Sequence, residues 1–130
     1  MELIRRESVP VLSNAGIESE QLLFPENSAS ERLTITRVSM PPGGINPRHV
    51  HAASEQVWIA ISGEGTLLLA EEKAEPFAAG DVARFADGDV HGFKNTGSMT
   101  FVYLSVTSPP INFRGAYAKD WGPAIARSEA

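Results

Sequence analysis

Between Leu33 and Thr107 the chain is cut into short runs by glycine, proline and Asx pairs. No uninterrupted stretch offers the sustained 3.6-residue period of a packed helix, so this region can bury a core only as many short strands. Leu33–Met40 alternates with Thr-rich β propensity and stops at Pro41-Pro42-Gly43-Gly44. Gln56–Ser62 reads as a strand, Gly63-Glu64-Gly65 as a turn, and Thr66–Ala70 as its hairpin partner. Pro76–Ala79 leads to the turn Gly80-Asp81 and the strand Val82–Phe85. Asp87-Gly88-Asp89 turns into His91–Asn95, and Asn95-Thr96-Gly97 turns into the last long strand, Met99–Thr107. Six or more such strands predict an antiparallel sandwich or barrel. Residues 8–30 read as mostly irregular. After Pro109-Pro110, Phe113, Tyr117 and Trp121 recur every four residues, which predicts a short helical arm packed over the barrel. The expected organisation is one domain over 1–130, with an N-terminal segment (1–30), a barrel core (33–107) and a C-terminal arm (109–130).

Composition removes several classes of function. Eleven basic against sixteen acidic residues give a net charge of −5, with no basic run, which argues against nucleic acid or an anionic membrane as partner. The chain has no cysteine, so disulfides, thiolate nucleophiles and iron–sulfur clusters are excluded, and any metal must be held by nitrogen and oxygen. No apolar stretch is long enough to span a bilayer, and Met1–Glu7 lacks the apolar core of a leader, so the expected location is cytoplasmic.

The three histidines concentrate the chemistry. His49 and His51 are separated by one residue, and His91 follows a turn forty residues on. Alternate residues of a strand share a face, and imidazole is the commonest metal ligand near neutral pH. The pattern predicts a metal site that uses every histidine in the chain.

Around these histidines the sequence resembles the cupin superfamily, as a small single-domain member of the conserved-barrel type. Gly43, His49, His51 and Gly63 fall in the register of the first cupin motif, and Gly80, Gly88, His91 and Asn95 in that of the second. Ala86 stands where the second motif has proline. The resemblance implies an antiparallel double-stranded β-helix, the cupin jelly-roll barrel, ending in the short helical arm. It also implies a ligand set of His49, His51, a fourth side chain and His91. Counting back from Gly63 places that fourth side chain at Gln56, a His-x-His, Gln, His variant of the motif. Glu55 is the alternative, and it shares its parity with Val57, Ile59 and Ile61, the more apolar face. Neighbours on a strand point to opposite faces, so only one of the two reaches the site.

Three imidazoles and one oxygen would hold a divalent transition metal (Mn, Fe, Ni, Co or Zn) with positions open to a ligand. A neutral Gln leaves the ion's charge uncompensated, which favours Lewis-acid chemistry of the isomerase or lyase kind on a small oxygenated or carboxylated metabolite. A metal-dependent dioxygenase and a non-catalytic small-ligand or sugar-binding protein are the alternatives. With Gln56 inward, Trp58 becomes a wall of the pocket, and Phe93, sharing the face of His91, its floor. Tyr103 as a proton donor and Arg37 as a carboxylate clamp are the weaker catalytic candidates. The second apolar face of the central strand predicts a cover, and a C2 homodimer is the expectation.

Overall fold

Strand alternation decides the architecture. In the computed structural model, which describes residues 1–121, ten strands form two antiparallel sheets facing across a common interior. The strands are β1 (Val11–Asn14), β2 (Ile17–Leu23), β3 (Thr34–Met40), β4 (Ile45–His49), β5 (Glu55–Ser62), β6 (Glu64–Leu69), β7 (Ala74–Ala78), β8 (Val82–Phe85), β9 (His91–Lys94) and β10 (Phe101–Ser108). One sheet has the order β1-β2-β3-β10-β5-β8 and the other β4-β9-β6-β7. Among the described residues one α-helix, α1 (Arg114–Tyr117), follows. The fold is the expected double-stranded β-helix.

The N-terminal segment differs from its expectation. Residues 8–30 contain β1 and β2, which extend the large sheet beyond β3. The polar run Glu18-Ser19-Glu20-Gln21 hid this strand, because its inward residues Ser19 and Gln21 are themselves polar. In the described part of the arm, Arg114–Tyr117 is helical, Phe113 precedes it, and Trp121 follows beyond the helix. The arm's residues 122–130 lie outside the described residues.

The interior is graded along its length. Phe77, Phe93 and Phe101 form an apolar end, with Phe93 and Phe101 stacked at 4.2 Å between ring centres. Each such ring, fully buried, contributes roughly 1.5–3 kcal/mol. Toward the other end the inward positions turn polar: Thr36 and Thr34 on β3, Ser105 and Thr107 on β10, Gln56 on β5. Two glycines, one on β9 and one in the turn before it, fix the geometry near the histidines. A Cβ on Gly92 would stand 2.6 Å from the Asn46 carbonyl oxygen and 2.9 Å from the Arg48 nitrogen, so only glycine lets β9 lie this close to β4. Gly88, at φ +81°, donates its N–H to the His51 carbonyl at 2.9 Å and so ties the turn before β9 to the histidine loop. Ala86, in place of the motif's proline, keeps an N–H that donates to Asp89 Oδ2 at 2.9 Å, a bond proline could not make.

Candidate metal centre and ligand cavity

Register brings the histidines together. His49, the last residue of β4, pairs directly with His91, the first residue of β9. His51 lies two residues past the end of β4, so it reaches the group from a loop and not by strand alternation. The ring centres are 5.0 Å apart for His49–His51, 4.3 Å for His49–His91 and 5.1 Å for His51–His91. One ring nitrogen from each residue lies within 4.8 Å of the others.

Hydrogen bonds orient these rings. His49 Nδ1 is 2.6 Å from the Pro47 carbonyl oxygen, and His91 Nδ1 is 2.9 Å from that of Asp89. A carbonyl can only accept, so both Nδ1 atoms carry the proton and both Nε2 atoms keep a lone pair. Backbone carbonyls behind imidazoles are the usual outer support of metal ligands. His51 Nε2 is buried and has no hydrogen-bond partner among the described residues. His91 also stacks on Phe85 at 4.3 Å and 9°. Burial lowers the pKa of all three, His51 to about 4 and His91 to about 3, with the neighbouring His49 adding to the shift at each. The rings are therefore neutral at pH 7, the form in which imidazole binds metal.

Gln56 and Glu55 part as strand neighbours must. Gln56 is buried; its Nε2 donates to Thr107 Oγ1 at 2.7 Å, and its Oε1 accepts from Trp58 Nε1 at 2.8 Å. These two bonds fix the amide orientation and leave Oε1 facing His91 Nε2 at 3.0 Å. Glu55 points to the outer face, where it is ion-paired and hydrogen-bonded to Arg84 of β8. With His91 Nδ1 protonated, the 3.0 Å contact sets two acceptors against each other, which is unfavourable unless a cation sits beside both. Two ligand atoms at right angles on an ion with bonds of about 2.1 Å stand about 3.0 Å apart. The donor set therefore fits a divalent ion.

A cavity of about 380 Å³ opens beside the histidines. Trp58 lines it; its indole lies 4.4 Å from the Tyr103 ring. Tyr103 lines it too, and its hydroxyl oxygen accepts from Asn46 Nδ2 at 3.2 Å. Burial pushes the Tyr103 phenol well above its ordinary value, so it remains a hydrogen-bond donor. Phe93 is not on the cavity wall; it is fully buried one layer below, against Phe77, Phe101 and Tyr103. Its parity with His91 is right, but Gly65 opposite leaves the space its ring fills: a Cβ there would stand 2.2 Å from Phe93 Cζ. Arg37 is on the outer face, half exposed and 3.7 Å from Glu20, and does not reach the cavity.

The remaining wall was not anticipated. Ser19, Thr36, Ser105 and Asn46 contribute polar groups, and Ile111, Phe113, Tyr117 and Trp121 of the arm close one side. Phe113 lies 5.7 Å from His51. The arm is held by Asn14 Nδ2, which donates to the carbonyls of Tyr117 (3.0 Å) and Lys119 (2.6 Å), and by Arg114, which donates to both Glu26 oxygens at 2.8 and 2.9 Å. The period of Phe113, Tyr117 and Trp121 signalled that the arm packs inward but not onto what. Thr34 and Thr36, at the inward parity of Val38 and Met40, were the available sign of a polar wall.

The Cupin domain family matches residues 36–107, the segment that carries both histidine clusters and both sheets' central strands. The chain belongs to the cupin family. It is 25% identical over 103 residues to an uncharacterized protein of Methanocaldococcus jannaschii, covering 79% of this cupin and 82% of that protein. Among solved structures it resembles a predicted oxalate decarboxylase of Thermotoga maritima, with a TM-score of 0.71, 24% identity, and coverage of 82% of this chain and 98% of the other. It also resembles the ectoine synthase of P. lautus, with a TM-score of 0.78 at 12% identity over 99% of this chain and 94% of the other. At such identities these structures share the fold of this cupin. Among the described residues no helix is long and apolar enough to cross a membrane.

Proposed function

We propose that this cupin is a metal-dependent enzyme in which His49, His51, His91 and the Gln56 side-chain oxygen hold one divalent transition metal. The observation that carries the reading is the 3.0 Å approach of two lone-pair atoms, Gln56 Oε1 and His91 Nε2, each fixed from behind by its own hydrogen bond. When bound, the ion would supply Lewis acidity to a carbonyl or hydroxyl of a small oxygenated or carboxylated metabolite, in an isomerase- or lyase-like reaction. Gln56 and the three imidazoles are neutral, and no aspartate or glutamate lines the cavity among the described residues, so nothing there offsets the ion's charge. Tyr103, held protonated, can donate to an oxygen that becomes negative. Trp58 and the arm restrict water around the ligand.

The absence of a carboxylate base from the described lining favours, as a second reading, a cupin that binds a small ligand without turning it over. The outer face of the large sheet carries Val57, Ile59, Leu104 and Val106, with Ile61 45% and Val82 64% exposed, and a C2 homodimer through this face is part of the proposal.

Metal analysis of purified protein tests the assignment. The wild type is expected to hold close to one equivalent of Mn, Fe, Ni, Co or Zn, and His91→Ala and Gln56→Ala to lose it or bind far more weakly. Glu55→Ala should bind as the wild type does. A wild type that stays metal-free after reconstitution, or loss with Glu55→Ala and not with Gln56→Ala, refutes the ligand set.

A further inference from the structure

The cavity wall leading away from the histidines carries hydroxyl groups that the fold itself does not use. Thr36 and Ser105 are 3% and 4% exposed, line the cavity, and have no side-chain hydrogen-bond partner among the described residues. They are direct register partners on β3 and β10, and Ser105 in turn pairs with Trp58 on β5. Side chains opposite one another on adjacent strands are about 5 Å apart, so the two hydroxyls form one short row that begins a strand away from the Gln56–Trp58 pair. Asn46 and Tyr103 flank the row, and the hydrogen bond between them uses an Asn46 N–H and the Tyr103 oxygen, which leaves the Tyr103 hydrogen and the Asn46 carbonyl oxygen to the cavity.

Neither oxygen is among the enclosed unpartnered atoms of the described residues, so both hydroxyls open onto the cavity and can donate to and accept from what occupies it. The groups differ from an anion site as well. Hydroxyls and an amide both donate and accept, which matches ligand hydroxyls; a carboxylate or phosphate only accepts and is held by guanidinium groups or clustered N–H donors. Among the described residues no arginine lines the cavity, and its single cationic side chain, Lys119, comes from the arm and not from the hydroxyl row.

We infer that Thr36 and Ser105, with Asn46 and Tyr103 beside them, form a subsite for ligand hydroxyl groups, so that the ligand of this cavity is a small polyhydroxylated molecule. The inference deepens the proposed function and rests on it for the metal end of the cavity. The hydroxyl row itself is independent of the ion.

The test uses wild type, Thr36→Val and Ser105→Ala, each both Zn(II)-reconstituted and chelator-stripped. Each is titrated calorimetrically at millimolar concentrations of sorbitol, gluconate and hexanoate, and melted without ligand. Sorbitol and gluconate are expected to bind better than hexanoate, and each substitution to weaken them by about two- to tenfold. Hexanoate should be unaffected, and the unliganded variants should melt close to wild type, because neither hydroxyl is bonded to another side chain of the fold. Hexanoate binding as well as gluconate, no binding by either hydroxylated probe, unchanged polyol affinity in the variants, or variants that melt several degrees lower would each overturn the inference. Sorbitol binding that depends on Thr36 and Ser105 in a protein unable to take up Zn(II) would sustain the subsite and sink the metal assignment alone.

Discussion

Thr107→Val is the sharpest perturbation of the proposed metal centre, because it replaces no ligand and changes shape little. Thr107 Oγ1 accepts the Gln56 Nε2 hydrogen at 2.7 Å, and both residues are buried. Valine removes the acceptor and strands one amide N–H in the interior, at a cost of about 1–3 kcal/mol. For a domain of this size that corresponds to a fall in Tm of roughly 3–6 °C per kcal/mol. The larger effect falls on the metal. Thr107 and Trp58 together dictate that Gln56 presents oxygen, and not its NH2 group, toward His91. With one of the two restraints gone, affinity should drop about 10–100-fold, the usual cost of losing an outer support of a ligand. Co(II) or Zn(II) titration against a competing chelator reads this directly. Thr107→Ser should restore affinity, since it restores the acceptor. Gln56→Glu should retain binding, since a carboxylate presents oxygen on either side and the Thr107 hydroxyl can turn to donate. Thr107→Val with metal affinity within about twofold of wild type, alongside the expected loss of stability, would show that the Gln56 amide has no part in holding the ion.

Three further outcomes follow from the same geometry. His51 and His91 have folded pKa values lowered to about 4 and about 3 from 6.5, chiefly by burial. The unfolded chain therefore binds more protons as acidity rises, so the metal-free protein should keep its full stability above about pH 6.5 and lose it progressively toward pH 4; a flat melting temperature across that window would contradict the buried neutral rings. Gly92→Ala puts a Cβ 2.6 Å from the Asn46 carbonyl oxygen, must push β9 off β4, and should cost about 1–3 kcal/mol with weakened metal uptake, since the same strand pair aligns His49 with His91; a denaturation midpoint equal to wild type would show that the strands are not so closely apposed. Light scattering at micromolar concentration should give a particle of twice the 14.0 kDa chain mass, dissociated by Ile59→Asp on the outer face; a monomeric wild type refutes the sheet-to-sheet dimer.

Much of this cupin was legible in order along the chain. Turn residues punctuate the strands, and Val82–Phe85 lies where its flanking turns predict. The strand 17–23 was not legible, because its inward face is built from Ser19 and Gln21, and alternation of polar with polar carries no signal. Phe93 fell outside the cavity for a related reason: parity gives the side of a sheet but not the depth at which a ring comes to rest, which Gly65 on the neighbouring strand decides.

What the sequence by itself determined is the inventory and its local geometry: every histidine in two turn-bounded clusters, no cysteine, and Gln56 and Glu55 on opposite faces of one strand. The tertiary structure alone decided which face is inside, and hence that Gln56 meets His91 while Glu55 meets Arg84. It also decided that a hydroxyl row from β3 and β10 and an arm from the chain's far end share one cavity with the histidines. The physical reason is range. Turns and alternation are set by a residue's immediate neighbours, whereas pairings such as His49 with His91 or Thr36 with Ser105 join positions far apart in the chain and exist only once the sheets have closed.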